Sequence, residues 1–180
     1  MKGIVFTEFL DLVEDKFGLS TLDQLLAKSE LKTGGVYTAV GTYDHGEMVE
    51  LVTNLSDIIE VPINDLLYAY GLHFFNVLHG SYPGFFQNMK SSFDFLETIE
   101  SYIHPEVLKL YPDAELPSFK NNRISENHLE LVYSSSRKMS SFAHGLMVST
   151  IDHFKESVEI SKESLNEEGT QVKFTLLRNG

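Results

Sequence analysis

Tyr133, Ser135 and Arg137 stand two residues apart in the run Tyr-Ser-Ser-Ser-Arg. In an extended segment alternate side chains share a face, so a phenol, a hydroxyl and a guanidinium would meet on one patch. That patch suits an anion, above all a pair of carboxylates, because the arginine adds charge and a fork of donors. Upstream, His104 ends an amphipathic stretch and is followed by Pro105. A lone histidine in that position can supply one axial ligand to a metal. Together the two features fit a bound haem, with its propionates on the extended segment and its iron on the helix.

Composition narrows the chemistry. The chain has no cysteine. That removes disulfides, Cys-based zinc sites, iron–sulfur clusters, thiolate-ligated haem and covalent haem attachment. Any metal must be held by His, Met, Tyr or carboxylates, and any haem must be non-covalent. The seven histidines are His45, His73, His79, His104, His128, His144 and His153. No pair has the spacing of a zinc protease. His73 and His79 fall on opposite sides of one helix. There is no Gly-x-Ser-x-Gly elbow and no Gly-rich phosphate loop after a strand. Twenty-six acids against 14 bases leave a net charge of −12, which argues against nucleic acid or an anionic membrane as partner. No apolar run is long enough to span a bilayer, and the first eight residues do not read as a signal peptide. A soluble, cytoplasmic protein is the expectation.

The elements read as helices first and strands later. Apolar spacing predicts a helix over residues 1–17, stopped by Gly18, and a short second helix capped by Ser20 or Thr21. A third helix is expected over 47–61. Pro62 opens a fourth over 63–78, apolar nearly all round and therefore buried. Residues 80–84 break it. A helix begun by Ser91 or Ser92 runs to His104, where Pro105 should force a kink or restart. Leu129, Leu131 and Tyr133 alternate as in a half-buried strand. A long helix over 138–154 follows, then two strands around 158–160 and 172–176 joined by a hairpin at 166–169. The expected fold is α+β, a single domain over 1–180. A helical part, about 1–112, packs on a C-terminal antiparallel sheet with one long helix, about 113–180, and the haem lies between them.

Each chemical motif has a plain alternative. A histidine at a helix end most often meets the C-terminal dipole. A Tyr-x-Ser-x-Arg run is most often a strand end with a solvated arginine. The balance shifts because the whole chain resembles the haem–nitric oxide/oxygen-binding (H-NOX) family of bacterial gas sensors, similar to the haem domain of soluble guanylate cyclase. The matches are the Met-Lys-Gly start, Gly71 in the buried helix, and His104 seven residues before Tyr111-Pro112. Leu116-Pro117-Ser118-Phe119 and the run at 133–137 follow.

The resemblance implies roles. His104 would be the proximal ligand of ferrous haem b. Tyr133, Ser135 and Arg137 would bind the propionates, and Pro117 would pack on the porphyrin and help distort it. Phe9, Phe75, Leu78, Phe142 and Leu146 align with the distal pocket. Oxygen-binding relatives carry a distal tyrosine that aligns with Phe142, and phenylalanine has no hydrogen to donate. The reading is therefore a sensor of NO, also binding CO, with little O₂ binding. It has no enzymatic activity of its own and signals to a separate sensor histidine kinase or cyclic-di-nucleotide enzyme. Two other classes stay open: a haem enzyme with peroxidase-like or NO-detoxifying activity, and a haem-free interaction module.

Overall fold

In the computed structural model, which describes residues 1–179, helices α1 (Gly3–Phe17), α2 (Leu19–Lys28), α3 (His45–Ile59) and α4 (Ile63–Ser81) come first. Gly18 ends α1 with φ of 84°, a value that needs no Cβ, and itself caps α2. Ser20 and Thr21 therefore lie inside α2 rather than capping it, and the Thr21 hydroxyl donates back to the Phe17 carbonyl (2.9 Å). A 3₁₀ turn (Pro83–Phe86) leads to α5 (Ser92–Glu97), whose N-cap Ser91 accepts from the Asp94 amide (3.1 Å).

The α-helix restarts at His104, as Pro105 leads one to expect, but without a break in helical backbone. The chain passes through a π-helical turn (Ile99–Ile103) into α6 (His104–Leu110), with His104 itself helical at φ −61°, ψ −42°. The Ile103 amide donates five residues back to the Thr98 carbonyl (3.1 Å). Proline lacks an amide hydrogen and its ring crowds the carbonyl four residues earlier. One extra residue in the preceding turn relieves that crowding without ending the helix.

The C-terminal part forms a four-stranded antiparallel sheet in the order β1-β2-β4-β3: β1 (Ser118–Ser125), β2 (His128–Ser134), β3 (Val158–Ser164) and β4 (Gln171–Arg178). Helix α7 (Ser140–His153) crosses between β2 and β3 in sequence. Strand β1 was not expected, because its Lys-Asn-Asn-Arg centre has no apolar alternation. It forms by pairing with β2, Phe119 opposite Tyr133. Leu129, Leu131 and Tyr133 of β2 pair with Leu176, Phe174 and Val172 of β4, and all six are buried. Each such side chain contributes roughly 1.5–3 kcal/mol. The β3–β4 hairpin is closed by Asn166, whose side-chain oxygen accepts from the Thr170 amide (3.1 Å).

Two hydrophobic cores result. One is made by α1–α4, the other by the sheet with α5 and α7. They meet where α4 crosses α7. Phe142 and Leu146 of α7 pack on the helical core, whereas Ala143, Met147 and Ile151 belong to the sheet core. Gly71 and Gly145 let the backbones touch: a Cβ on Gly145 would lie 2.2 Å from the Tyr68 carbonyl oxygen. No described helix is long and apolar enough to cross a membrane.

Replacing Gly145 with alanine is expected to destabilise the protein by about 1–3 kcal/mol, the usual cost of over-packing. Thermal denaturation followed by circular dichroism should show Tm falling by roughly 2–4 °C per kcal/mol. An unchanged Tm would mean that the crossing has slack.

Candidate functional site

A cavity of about 290 Å³ lies between the two cores. Its helical wall is apolar. Helix α1 presents Ile4 and Val5, α4 presents Phe75 and Leu78, and α7 presents Phe142 and Leu146. The single hydroxyl that α7 adds to the lining, Thr150, already donates to the Leu146 carbonyl (2.8 Å). The remaining lining comes from Met1 and Lys2 before α1, Tyr82 and the 3₁₀ turn, α5, the π turn, α6, the loop carrying Pro117, Phe119 of β1, the end of β2 and Met139.

Of the ten residues singled out in the sequence, nine line this cavity and Phe9 does not. Phe9 is fully inside the helical core, with its ring edge-on to Tyr70 (5.2 Å between centroids). It sits one turn beyond Val5 on α1, and Tyr70 is anchored by its phenol to the Val5 carbonyl (2.6 Å). The first helix thus meets the cavity through its first turn. His144 stays off the lining and packs against Tyr68 and Phe174 (5.1 and 5.8 Å), as a rotation of about 200° from Phe142 requires.

His104 projects from the start of α6 with its side chain 15% exposed. Its Nδ1 lies 3.2 Å from a Glu100 carboxylate oxygen. That same oxygen accepts from the Phe119 amide of β1 (2.6 Å). Burial pushes the His104 imidazole below the usual histidine range, against the opposing pull of Glu100. The ring is therefore neutral at pH 7. With the carboxylate beside Nδ1, the proton belongs there and the Nε2 lone pair is left for a metal.

The second polar group is built from the end of β2. Strand β2 stops at Ser134, so the run 133–137 is not extended throughout. The Ser135 hydroxyl accepts from the Arg137 amide (3.2 Å) and turns the chain, and Lys138 with φ of 55° completes the reversal into α7. Tyr133, Ser135 and Arg137 still converge on the cavity, through a turn rather than through strand alternation. The Tyr133 phenol oxygen accepts from the Met139 amide (3.1 Å). Burial raises its pKa, and Ser135, Met139 and the Arg137 charge oppose that shift. The two terminal nitrogens of Arg137 donate to the Glu115 carbonyl and carboxylate, both at 2.8 Å. The Arg137 side chain is 13% exposed and that of Glu115 85% exposed. An exposed carboxylate of this kind adds little stability and another carboxylate can take its place.

Sequence reasoning missed Glu100 and Glu115. The spacing of Glu100 to His104, i to i+4, was a usable signal. Glu115 carried none, since it comes from a loop 22 residues before Arg137.

The donor set fits haem. One neutral imidazole, an apolar wall and a largely sequestered arginine with a phenol and a hydroxyl are what an iron, a porphyrin and two propionates need. Among the described residues no group of three or more His, Cys, Asp or Glu is placed to hold a metal.

Comparison with known proteins agrees. A family profile described as Haem-NO-binding matches residues 2–162. The H-NOX protein from K. algicida, solved as unliganded Fe(II), is 50% identical with a TM-score of 0.97, over 100% of this chain and 97% of that one. The H-NOX from Shewanella woodyi, in its Fe(II)CO state, is 44% identical with a TM-score of 0.84, over 99% and 95%. An H-NOX protein from S. oneidensis in the Fe(II)NO state is 28% identical with a TM-score of 0.91, over the full length of both chains. No curated protein matches significantly.

Proposed function

Because the chain belongs to the Haem-NO-binding family, we propose that it is a cytoplasmic sensor that binds NO, and also CO, at ferrous haem b while binding little O₂. The observation that carries this reading is that a half-buried His104 and the Arg137 group with Tyr133 and Ser135 line one cavity with an apolar helical wall. The ferrous haem supplies the site at which a diatomic gas binds. His104 offers Nε2 to the iron. Arg137, whose partner Glu115 is exposed, would hold a propionate together with Tyr133 and Ser135. Pro117 presents a rigid ring to the porphyrin.

The helical wall sets ligand choice. Bound O₂ carries partial negative charge and needs a donor, whereas NO and CO do not. Phe142 lies against Tyr70 and Phe74 (5.0 and 5.5 Å) and offers none. The Tyr70 phenol and the Thr150 hydroxyl are already committed to backbone carbonyls. The same wall lacks an acid or base for peroxidase chemistry. With haem bound, His104 would anchor the π turn and the start of α6 to the cofactor, so any change in that attachment would be felt first in this segment. The family is a gas-sensing domain rather than an enzyme, so we assign output to a separate protein. The partner class we propose is a sensor histidine kinase or a cyclic-di-nucleotide enzyme.

Protein produced with haem supply should show a Soret band, and its absence would sink the haem reading. His104→Gly should abolish the five-coordinate ferrous spectrum, with added imidazole partly restoring it. An unaltered spectrum in that variant would remove His104 from the role.

Arg137→Ala should speed haem transfer to an apoprotein acceptor more than Ser135→Ala does. The lost hydrogen bonds to a charged group are worth roughly 1.5–3 kcal/mol, about tenfold to a hundredfold in rate. Equal rates in both variants and wild type would refute the clamp.

Phe142→Tyr should slow O₂ dissociation by about one to two decades, since the new hydroxyl has no competing acceptor on this wall. CO affinity should barely change. Stopped-flow traces that match wild type would place residue 142 out of reach of the ligand.

A further inference from the structure

Glu100 stands at an unusual junction. It belongs to the π turn, one turn before His104, and a single carboxylate oxygen faces both His104 Nδ1 (3.2 Å) and the Phe119 backbone amide (2.6 Å). Phe119 lies in the second pair of β1 with β2, directly opposite Tyr133. Its ring lies 5.5 Å from the Tyr133 ring and 6.1 Å from the His104 imidazole. One carboxylate therefore links the helix that carries the metal-binding imidazole to the strand pair that carries the anion clamp.

We infer that Glu100 is a positioning residue for His104: it orients the imidazole, raises its donor strength toward the iron, and ties the π turn to β1. The inference rests on the haem reading above. The physical basis is general. A histidine whose second nitrogen donates to a carboxylate is held in one tautomer and one ring orientation, and its ligating nitrogen becomes more basic. Two features distinguish this from an incidental surface contact. The His104 side chain is only 15% exposed, so its Nδ1 has little water to turn to. The Phe119 amide pins the carboxylate from the other side, so Glu100 does not have to be ordered by His104 alone.

The linkage also gives the signal a route. The Glu100 carboxylate stays bonded to β1 through Phe119 while His104 changes its attachment. A change in the position of the imidazole then pulls or releases the π turn, the most loosely wound part of this helical segment. The rest of α6 follows, because His104 is its first residue.

Glu100→Gln separates the two roles. Glutamine still accepts from the Phe119 amide but carries no charge, so thermal stability should stay close to wild type while the Fe–His bond weakens. Resonance Raman spectra of the ferrous, ligand-free holoprotein should show the Fe–His stretching band shifted to lower frequency in Glu100→Gln, and at least as far in Glu100→Ala. Stopped-flow mixing with NO should show faster loss of the His104 ligand in both. A stretching band at the wild-type position in both variants, with the Soret band intact, would overturn the inference and leave the haem reading standing. A wild-type protein with no Soret band would overturn the haem reading first.

Discussion

The contact on which the rest of this molecule depends is the crossing of α4 and α7 at Gly71 and Gly145. A Cβ on Gly71 would come within 2.2 Å of the Phe142 carbonyl oxygen, so neither backbone tolerates a side chain between them. Glycine at both positions is what lets these two backbones come into direct contact. The two hydrophobic cores are joined through this contact. It also sets which face of α7 looks into the cavity: Phe142 and Leu146 turn toward the helical core, while Ala143, Met147 and Ile151 turn toward the sheet. Which α7 side chains reach the helical side of the cavity is thus a consequence of backbone proximity some distance from it.

The second constraint is Pro105. A proline after the ligand position would be expected to break the helix, and the π turn before it is the compensation. That turn places Glu100 beside both His104 and β1. A local misfit between sequence and helix geometry is thereby converted into a connection between the two parts of the protein. The misfit costs stability locally, and the bond from Glu100 to the sheet helps to offset it.

Electrostatics in the cavity follow a simple division. The helical wall is apolar, and the hydroxyls nearest to it are spent on backbone carbonyls. The charged groups on the lining are held elsewhere: Lys2 pairs with Asp113, Arg137 is held by Glu115, and burial lowers the His104 pKa. A wall without free donors favours ligands that need none, and a largely sequestered cation with an exchangeable partner favours an anionic group.

Much of this was legible in the sequence because it rests on periodicity and residue type. The buried helix α4 and the alternation of β2 and β4 are patterns that a single chain displays. So are the Ser91 cap, the lone histidine beside a proline, and the Tyr-x-Ser-x-Arg run. The absence of cysteine alone confined any metal to imidazole, thioether, phenol or carboxylate ligands. Other features were decided by tertiary structure. Strand β1 has no pattern of its own and exists because β2 offers it a free edge. The clamp residues meet through a turn, because β2 ends at Ser134 and Ser135 bonds back to Arg137. Phe9 fell away from the cavity because Tyr70, tied to Val5, lets only the first turn of α1 reach it. Glu100 and Glu115 acquire their roles from residues on other elements, Phe119 and Arg137. Local sequence specifies which side chains an element can present. Only the packing of one element against another determines which of them meet.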